Sequence, residues 1–201
     1  MEKLTLFYTA MNGGKTASLI QVAYNYEQND KKVLVLKSKK DIKGDTDIVS
    51  RTGLRRHVDI ILDDNEKLLS KKYQDLILNA DCIIVDEVEL LEPSQVDELF
   101  MITKNLNMPV ICYGLKTNFK GELFSGAKRA IELADKIKEL DMIPLCSCGE
   151  KARFNARKEN GEFQCEGEEI VIDGSDDNYE YVPLCGKCYL EKVYRKEFSW
   201  E

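Results

Sequence analysis

The chain has no apolar run long enough to span a membrane, and no membrane partner is expected. No basic region followed by an apolar run opens it, so a secretory signal is not expected and the expected compartment is the cytoplasm. Positive charge is in deficit. The 29 Lys and Arg against 36 Asp and Glu leave a net charge of −7, which argues against a nucleic-acid partner held on a basic face. Histidine is nearly absent: His57 stands alone, far in sequence from the cysteine-rich region. Repeats and low-complexity segments are missing too. What remains is a 201-residue chain, 43% hydrophobic, which suits one domain or a domain with a small appendage. Its seven cysteines, without a secretory signal, read as metal ligands or buried thiols and not as disulfides.

Residues 1–141 alternate strands and helices. Apolar runs at 4–8, 33–36, 58–62, 82–85 and 110–113 predict strands, several of them buried on both faces. Helical spacing appears at 15–28, 66–79, 93–106 and 126–140, with Pro93 suited to a first turn. The pattern predicts an α/β domain with a largely parallel sheet flanked by helices. Residues 142–201 differ: five cysteines fall in 146–188, among short segments and turn signals, with a helix expected at 187–197. This part reads as a small metal-stapled domain. The charged run Lys37–Lys43 reads as a solvated loop.

The first strand runs into Thr9-Ala10-Met11-Asn12-Gly13-Gly14-Lys15-Thr16, and a helix follows at once. Loop amides and the positive helix end of such a P-loop cradle phosphates, the lysine reaches the β and γ oxygens, and the threonine hydroxyl binds Mg²⁺. Lys15 is expected to face solvent. The 82–85 strand ends in Asp86 and Glu87, where an acid of this fold faces the Mg²⁺ site; neighbouring strand residues point to opposite sides, so the two acids need not share a role. Cys146-x-Cys148 and Cys185-x-x-Cys188 supply four thiolates for a closed, structural zinc site, with Cys165 as the spare ligand. Cys82 and Cys112 sit in apolar strands as core residues. After the strand at 110–113, a loop with Phe119 and Phe124 lies at the carboxyl end of the sheet, where the two rings either pack on the core or wall a flat ligand.

Together, in this order, these pieces resemble thymidine kinases of the cellular type, bacterial branch. Gln21–Glu27 matches the helix after the phosphate loop, and Ser50-Arg51-Thr52-Gly53-Leu54 is similar to the family's Ser-Arg-x-Gly segment. Asp86-Glu87-Val88-Glu89-Leu90-Leu91 stands where the family has Asp-Glu-Ala-Gln-Phe-Leu. Residues Tyr113 to Arg129 follow the family's aromatic loop, and Tyr181 to Tyr189 its Tyr-x-x-x-Cys-x-x-Cys-Tyr. The resemblance implies ATP-dependent phosphorylation of the 5′-hydroxyl of a deoxynucleoside, thymidine first, in nucleotide salvage. It implies Mg²⁺ and structural Zn²⁺ as cofactors, ATP as donor and a homotetramer. By position it implies that Met11, Asn12, Gly13, Gly14, Lys15, Thr16, Arg51 and Asp86 serve ATP and its metal. Glu87 is then the catalytic base, and Met11, Leu115, Phe119, Phe124 and Tyr181 form the base pocket. A substrate loop at about Glu169–Tyr181 covers the thymine. Thr9, Glu89, Lys116, Asn118, Asp173 and the tight Cys-x-Cys pair depart from the family pattern. Two other readings follow: a nucleic-acid-dependent P-loop ATPase with a zinc ribbon, and a nucleoside-binding relative with weakened turnover.

Overall fold

A computed structural model describes residues 2–169 and 178–195. Six strands form one parallel sheet: β1 (Leu4–Tyr8), β2 (Val33–Ser38), β5 (Ile60–Leu62), β6 (Cys82–Asp86), β7 (Val110–Gly114) and β8 (Lys136–Glu139), in the order β5-β2-β6-β7-β1-β8. The strands at its centre read as unbroken apolar runs because helices cover both faces. Side-chain alternation then sorts each run between two cores. Cys82 and Ile84 join Val33, Val35 and Tyr113 under α1 (Lys15–Glu27), through Leu19 and Ala23. Ile83 and Val85 pack with Leu34 and Leu36 on the other face, against α2 (Lys71–Leu78), α3 (Pro93–Asn105) and α4 (Ser125–Leu133). Asp86 continues the parity of Cys82 and Ile84, which directs it toward the start of α1.

Pro93 does open α3, and Glu92 and Gln95 close a reciprocal capping box there. The helix expected at 126–140 is instead two elements, α4 and the edge strand β8. Asp135 makes the break: its N–H donates to Leu4 O (2.9 Å), and its carboxylate accepts the Leu4 N–H (2.8 Å). Pairing with β1 thus overrides the helical propensity of Lys136–Glu139. The helix expected at 66–79 is confined to 71–78. The strand expected at 58–62 keeps only 60–62, because β3 (Asp47–Val49) and β4 (Arg55–His57) form a hairpin just before it.

Lys37 corrects the reading of 37–43 as a solvated loop. It is the last but one residue of β2 and fully buried; its ammonium donates to Lys43 O (2.8 Å) and Asp47 O (3.3 Å) and lies 3.5 Å from an Asp41 carboxylate oxygen. Three carbonyl or carboxylate partners compensate the buried charge.

Toward the C-terminus, β9 (Phe154–Glu159), β10 (Glu162–Gln164) and β11 (Tyr179–Leu184) form an antiparallel sheet, ordered β10-β9-β11. In place of the long helix expected at 187–197 there is one α turn, α5 (Gly186–Tyr189), then a π-helical turn at Leu190–Tyr194. Residues 196–197 lie outside the described residues. Ala156 faces the small core of Cys146, Ala152, Leu184, Cys185, Cys188 and Tyr189, where Phe154 stacks on Tyr189 at 4.6 Å. Asn155 and Arg157, of opposite parity, face the large sheet. Asn155 accepts the Met11 N–H (2.8 Å) and donates to Thr117 O (3.1 Å), joining the small sheet to two loops of the large one. Among the described residues no helix is long and apolar enough to cross a membrane.

Candidate active site

The glycine loop links β1 to α1 at the carboxyl end of the sheet. Asn12 (φ 65°) and Gly14 (φ 71°) take left-handed backbone, which turns the chain into the helix. Gly13 is needed for space: a Cβ there would collide with the Thr9 side chain. Thr9, the departure from the family's glycine, is therefore accommodated. It is buried against Gly13 and outside the cleft that the loop borders. Among the described residues no side chain caps the N-terminus of α1, so its first amides remain available to an anion.

Across β7, the end of β6 brings the acids to this loop. Thr16 donates its hydroxyl to Asp86 Oδ2 (3.3 Å), and Lys15 Nζ lies 3.5 Å from Glu87 Oε2. Lys15 is not the solvent-facing charge expected from the sequence: only 8% of it is exposed. The acidic turn wraps around its ammonium, with Glu87 itself in left-handed backbone (φ 47°) and a 3-10 turn at Val88–Leu90 behind it. Glu89, in that turn, is 3% exposed, and its Oε2 has no hydrogen-bond partner among the described residues.

Four ionisable groups so close cannot all keep their ordinary protonation. Burial, then the Glu87 carboxylate, pushes Asp86 up to about 7 against the pull of Lys15. Burial, then Glu87, pushes Glu89 well above the carboxylate range. Burial works against the charge of Glu87, yet Lys15, a hydrogen bond from Glu89 and the Lys43 charge hold it low. Burial works against Lys15 too, but Glu87, Glu89 and Asp86 keep it above its ordinary value. The balance favours the ionised form of Glu87 and the protonated form of Glu89.

These groups border a cleft of about 380 Å³. Of the residues singled out in the sequence, Met11, Asn12, Gly13, Gly14, Lys15, Thr16, Arg51, Glu87, Leu115, Phe119, Phe124 and Tyr181 line it; Asp86 stands behind Thr16. Phe119 and Phe124 are buried and also face the cleft, so packing and wall are one role. Arg51 rides on the β3–β4 turn, which Ser50 closes by accepting the Leu54 N–H (3.0 Å). The sequence reading missed Lys43, which lines the cleft because Lys37 holds its carbonyl from below, and Thr117, Met142 and Asn155. Nothing local marked them, since each reaches the cleft through tertiary contacts. Glu89 and Asn118 line the cleft; Lys116 lies over the Tyr8 ring outside it. Of the expected substrate loop, residues 170–177, and with them Asp173, lie outside the described residues.

The oxygen donors Thr16 and Asp86 suit Mg²⁺, a hard cation. Beside the small sheet, the sulfurs of Cys146, Cys148, Cys185 and Cys188 all lie within 4.8 Å of one another, with Cys148 and Cys185 at 3.6 Å. A tetrahedral zinc with bonds of ~2.3 Å sets sulfur separations of about 3.8 Å, so this all-sulfur set fits it. The tight Cys-x-Cys works because Cys146 O accepts the Gly149 N–H (2.8 Å), curling the chain so that both thiols face one point. Burial opposes ionisation of Cys146, but the N–H groups of Cys148 and Cys185 bring its thiol down to about 6. Cys165 is exposed and outside the cluster.

Residues 2–189 match the family model described as thymidine kinase. The curated thymidine kinase of Enterobacteria phage T4 is 39% identical over 193 residues, covering 95% of this chain and 97% of its own. That of Francisella tularensis is 38% identical, covering 96% and 100%, and that of Shewanella oneidensis 35%, covering both chains fully. Among solved structures, AMPPCP-bound DnaA from Aquifex aeolicus matches at 14% identity and TM-score 0.43, over 70% of this chain and 41% of that one. With a family model spanning nearly all described residues and relatives matched end to end, the chain belongs to the thymidine kinase family and is an enzyme of nucleoside phosphorylation.

Proposed function

We propose that the enzyme transfers the γ-phosphoryl group of ATP to the 5′-hydroxyl of a deoxynucleoside, thymidine first, releasing the monophosphate and ADP. One observation carries this reading: Lys15, Thr16 and Glu87, with Asp86 behind Thr16, share one cleft with Phe119, Phe124, Leu115 and Tyr181. Charged phosphate chemistry and a flat apolar base thus have adjacent places.

The glycine-loop amides and Lys15 bind the β and γ phosphates and neutralise charge on the transferring group. Thr16 and Asp86 would hold Mg²⁺, which supplies charge neutralisation between the phosphates when bound. Arg51 approaches the phosphates from the hairpin turn. Phe119, Phe124, Leu115, Met11 and Tyr181 sandwich the base and so aim the 5′-hydroxyl at Glu87. Held ionised by Lys15 and Glu89, Glu87 accepts the hydroxyl proton as the oxygen attacks phosphorus. A loose transition state asks little basicity of it, so a low pKa is no obstacle. Alignment supplies most of the rate.

Further parts of this reading are the division into 1–141 and 142–201, structural Zn²⁺ on the four cysteines, the cytoplasm as compartment and a homotetramer. The position of all three small-sheet strands and all four clustered cysteines after residue 142 supports the division. Light scattering behind a sizing column tests the assembly. A coupled assay across the natural nucleosides, with ATP and Mg²⁺, tests the substrate. Thymidine should give the highest kcat/KM; a purine nucleoside preferred over it contradicts the reading.

A further inference from the structure

Arg157 is a buried cation with no ion pair to an acid among the described residues. It is 3% exposed on β9, whereas the other buried cations among the described residues, Lys15 and Lys37, lie 3.5 Å from the carboxylates of Glu87 and Asp41. Its compensation is unusual. One terminal nitrogen donates to Glu168 O (2.7 Å) and the other to Glu166 O (3.3 Å). The guanidinium carbon sits 3.8 Å from the centre of the Phe119 ring and 5.4 Å from that of Tyr179, while Nε has no hydrogen-bond partner among the described residues. From the loop side, Gly167 (φ +119°) leaves no room for a Cβ against the guanidinium. The flat fork is therefore pressed between an aromatic face and a turn of backbone.

What it touches leads to the cleft in three directions. Phe119 lines the cleft. Glu169, next in the chain after the clamped carbonyls, lines it as well and accepts a hydrogen bond from the buried Asn118 (3.3 Å). Tyr181, directly opposite Arg157 in the β9–β11 register, is a third lining residue. None of these contacts reaches Lys15, Thr16 or Asp86.

We propose that Arg157 is a positioning residue for the nucleoside: it clamps residues 166–168 against the Phe119 ring and so sets Phe119, Glu169 and Tyr181 around the nucleoside, without acting on the ATP side of the site. The inference rests on the nucleoside reading of that cleft. Only arginine fits the task, because a lysine ammonium is a point charge that cannot bridge two carbonyls while stacking flat on a ring.

The test has two arms on the full chain. In the first, ligand-free wild type, Arg157→Lys and Arg157→Ala are digested with a glutamate-specific protease, and cuts are mapped by mass. Both variants should be cut earlier after Glu166, Glu168 and Glu169 than wild type, with cuts elsewhere unchanged. In the second, both should raise the thymidine KM by ~10-fold, the scale of one charge-assisted hydrogen bond, and leave the ATP KM within about twofold. Should Arg157→Ala fail to fold, Gly167→Ala disturbs the same guanidinium from an exposed position and is expected to show the same split. An unchanged thymidine KM, or equal rises for both substrates, overturns the proposal. A wild type inactive on thymidine instead overturns the nucleoside reading, and the digestion arm still decides whether the clamp exists.

Discussion

Glu87 and Asp86 are neighbours in sequence with different surroundings, and their variants should differ in kind. Asp86 is buried and hydrogen-bonded to Thr16; Glu87 reaches the cleft and faces Lys15. Glu87→Gln is expected to lower kcat by ~10²–10⁴-fold, the usual cost of a general base, with nucleoside binding kept. Asp86→Asn should raise the Mg²⁺ concentration needed for half-maximal rate. Titrating both variants with Mg²⁺ separates the roles; equal rescue by added metal makes Glu87 a metal-shell residue. Glu89 offers a second residue-scale test. Its carboxyl is pushed up by burial, so the folded state holds a proton that the unfolded chain releases more readily. That contribution to stability is complete below the unfolded carboxylate pKa and is lost as pH rises toward the folded one. Glu89→Gln keeps a donor beside Glu87 without titrating. Its melting temperature should exceed that of wild type at pH 8, and the gap should shrink as pH falls toward 4.5. A gap independent of pH contradicts the protonated state of Glu89.

At the scale of elements, the turn that carries the acids depends on a helix start elsewhere in the chain. Gly126, in the first turn of α4, abuts the carbonyls of Val88, Glu89 and Leu91, which leave no room for a Cβ. Gly126→Ala must move backbone, at about 1–3 kcal/mol for overpacking. Displacing Glu87 by a fraction of an ångström to an ångström should also lower kcat, by up to ~10²-fold. Chemical denaturation and steady-state kinetics check the two effects; a variant with both unchanged means the turn is set by other contacts. Elements also show where sequence reading reaches and stops. Strands at the centre of the sheet were legible because burial on both faces leaves an uninterrupted apolar run, and the glycine loop and acid pair because their spacing is tied to their chemistry. Edge elements were not: Lys136–Glu139 has no apolar alternation, and only pairing with β1 makes it a strand. Lys37 reads as surface by residue type, and only three tertiary acceptors show it to be interior.

At the scale of the whole molecule, the small sheet and the large one meet at the cleft. Asn155 holds the backbone of the glycine loop and of the aromatic loop, and Tyr189 donates its hydroxyl to Phe119 O (2.8 Å) next to Cys188. The cysteine cluster therefore supports the site from behind. Removing metal with a strong chelator should release one zinc per chain, loosen the small core and abolish activity, because so short a segment cannot build a sufficient core alone. Elemental analysis and near-ultraviolet circular dichroism follow the two losses. Full activity in metal-free protein contradicts a structural zinc.

The central claim, direct transfer between two substrates in one cleft, is tested by following label from γ-³²P-ATP in a single turnover with thymidine and Mg²⁺. The account expects the label in thymidine 5′-monophosphate, in equal amount to the ADP formed, with Glu87→Gln slowing its appearance. Label released as inorganic phosphate, with no nucleoside monophosphate formed and release stimulated by single-stranded DNA, would contradict it.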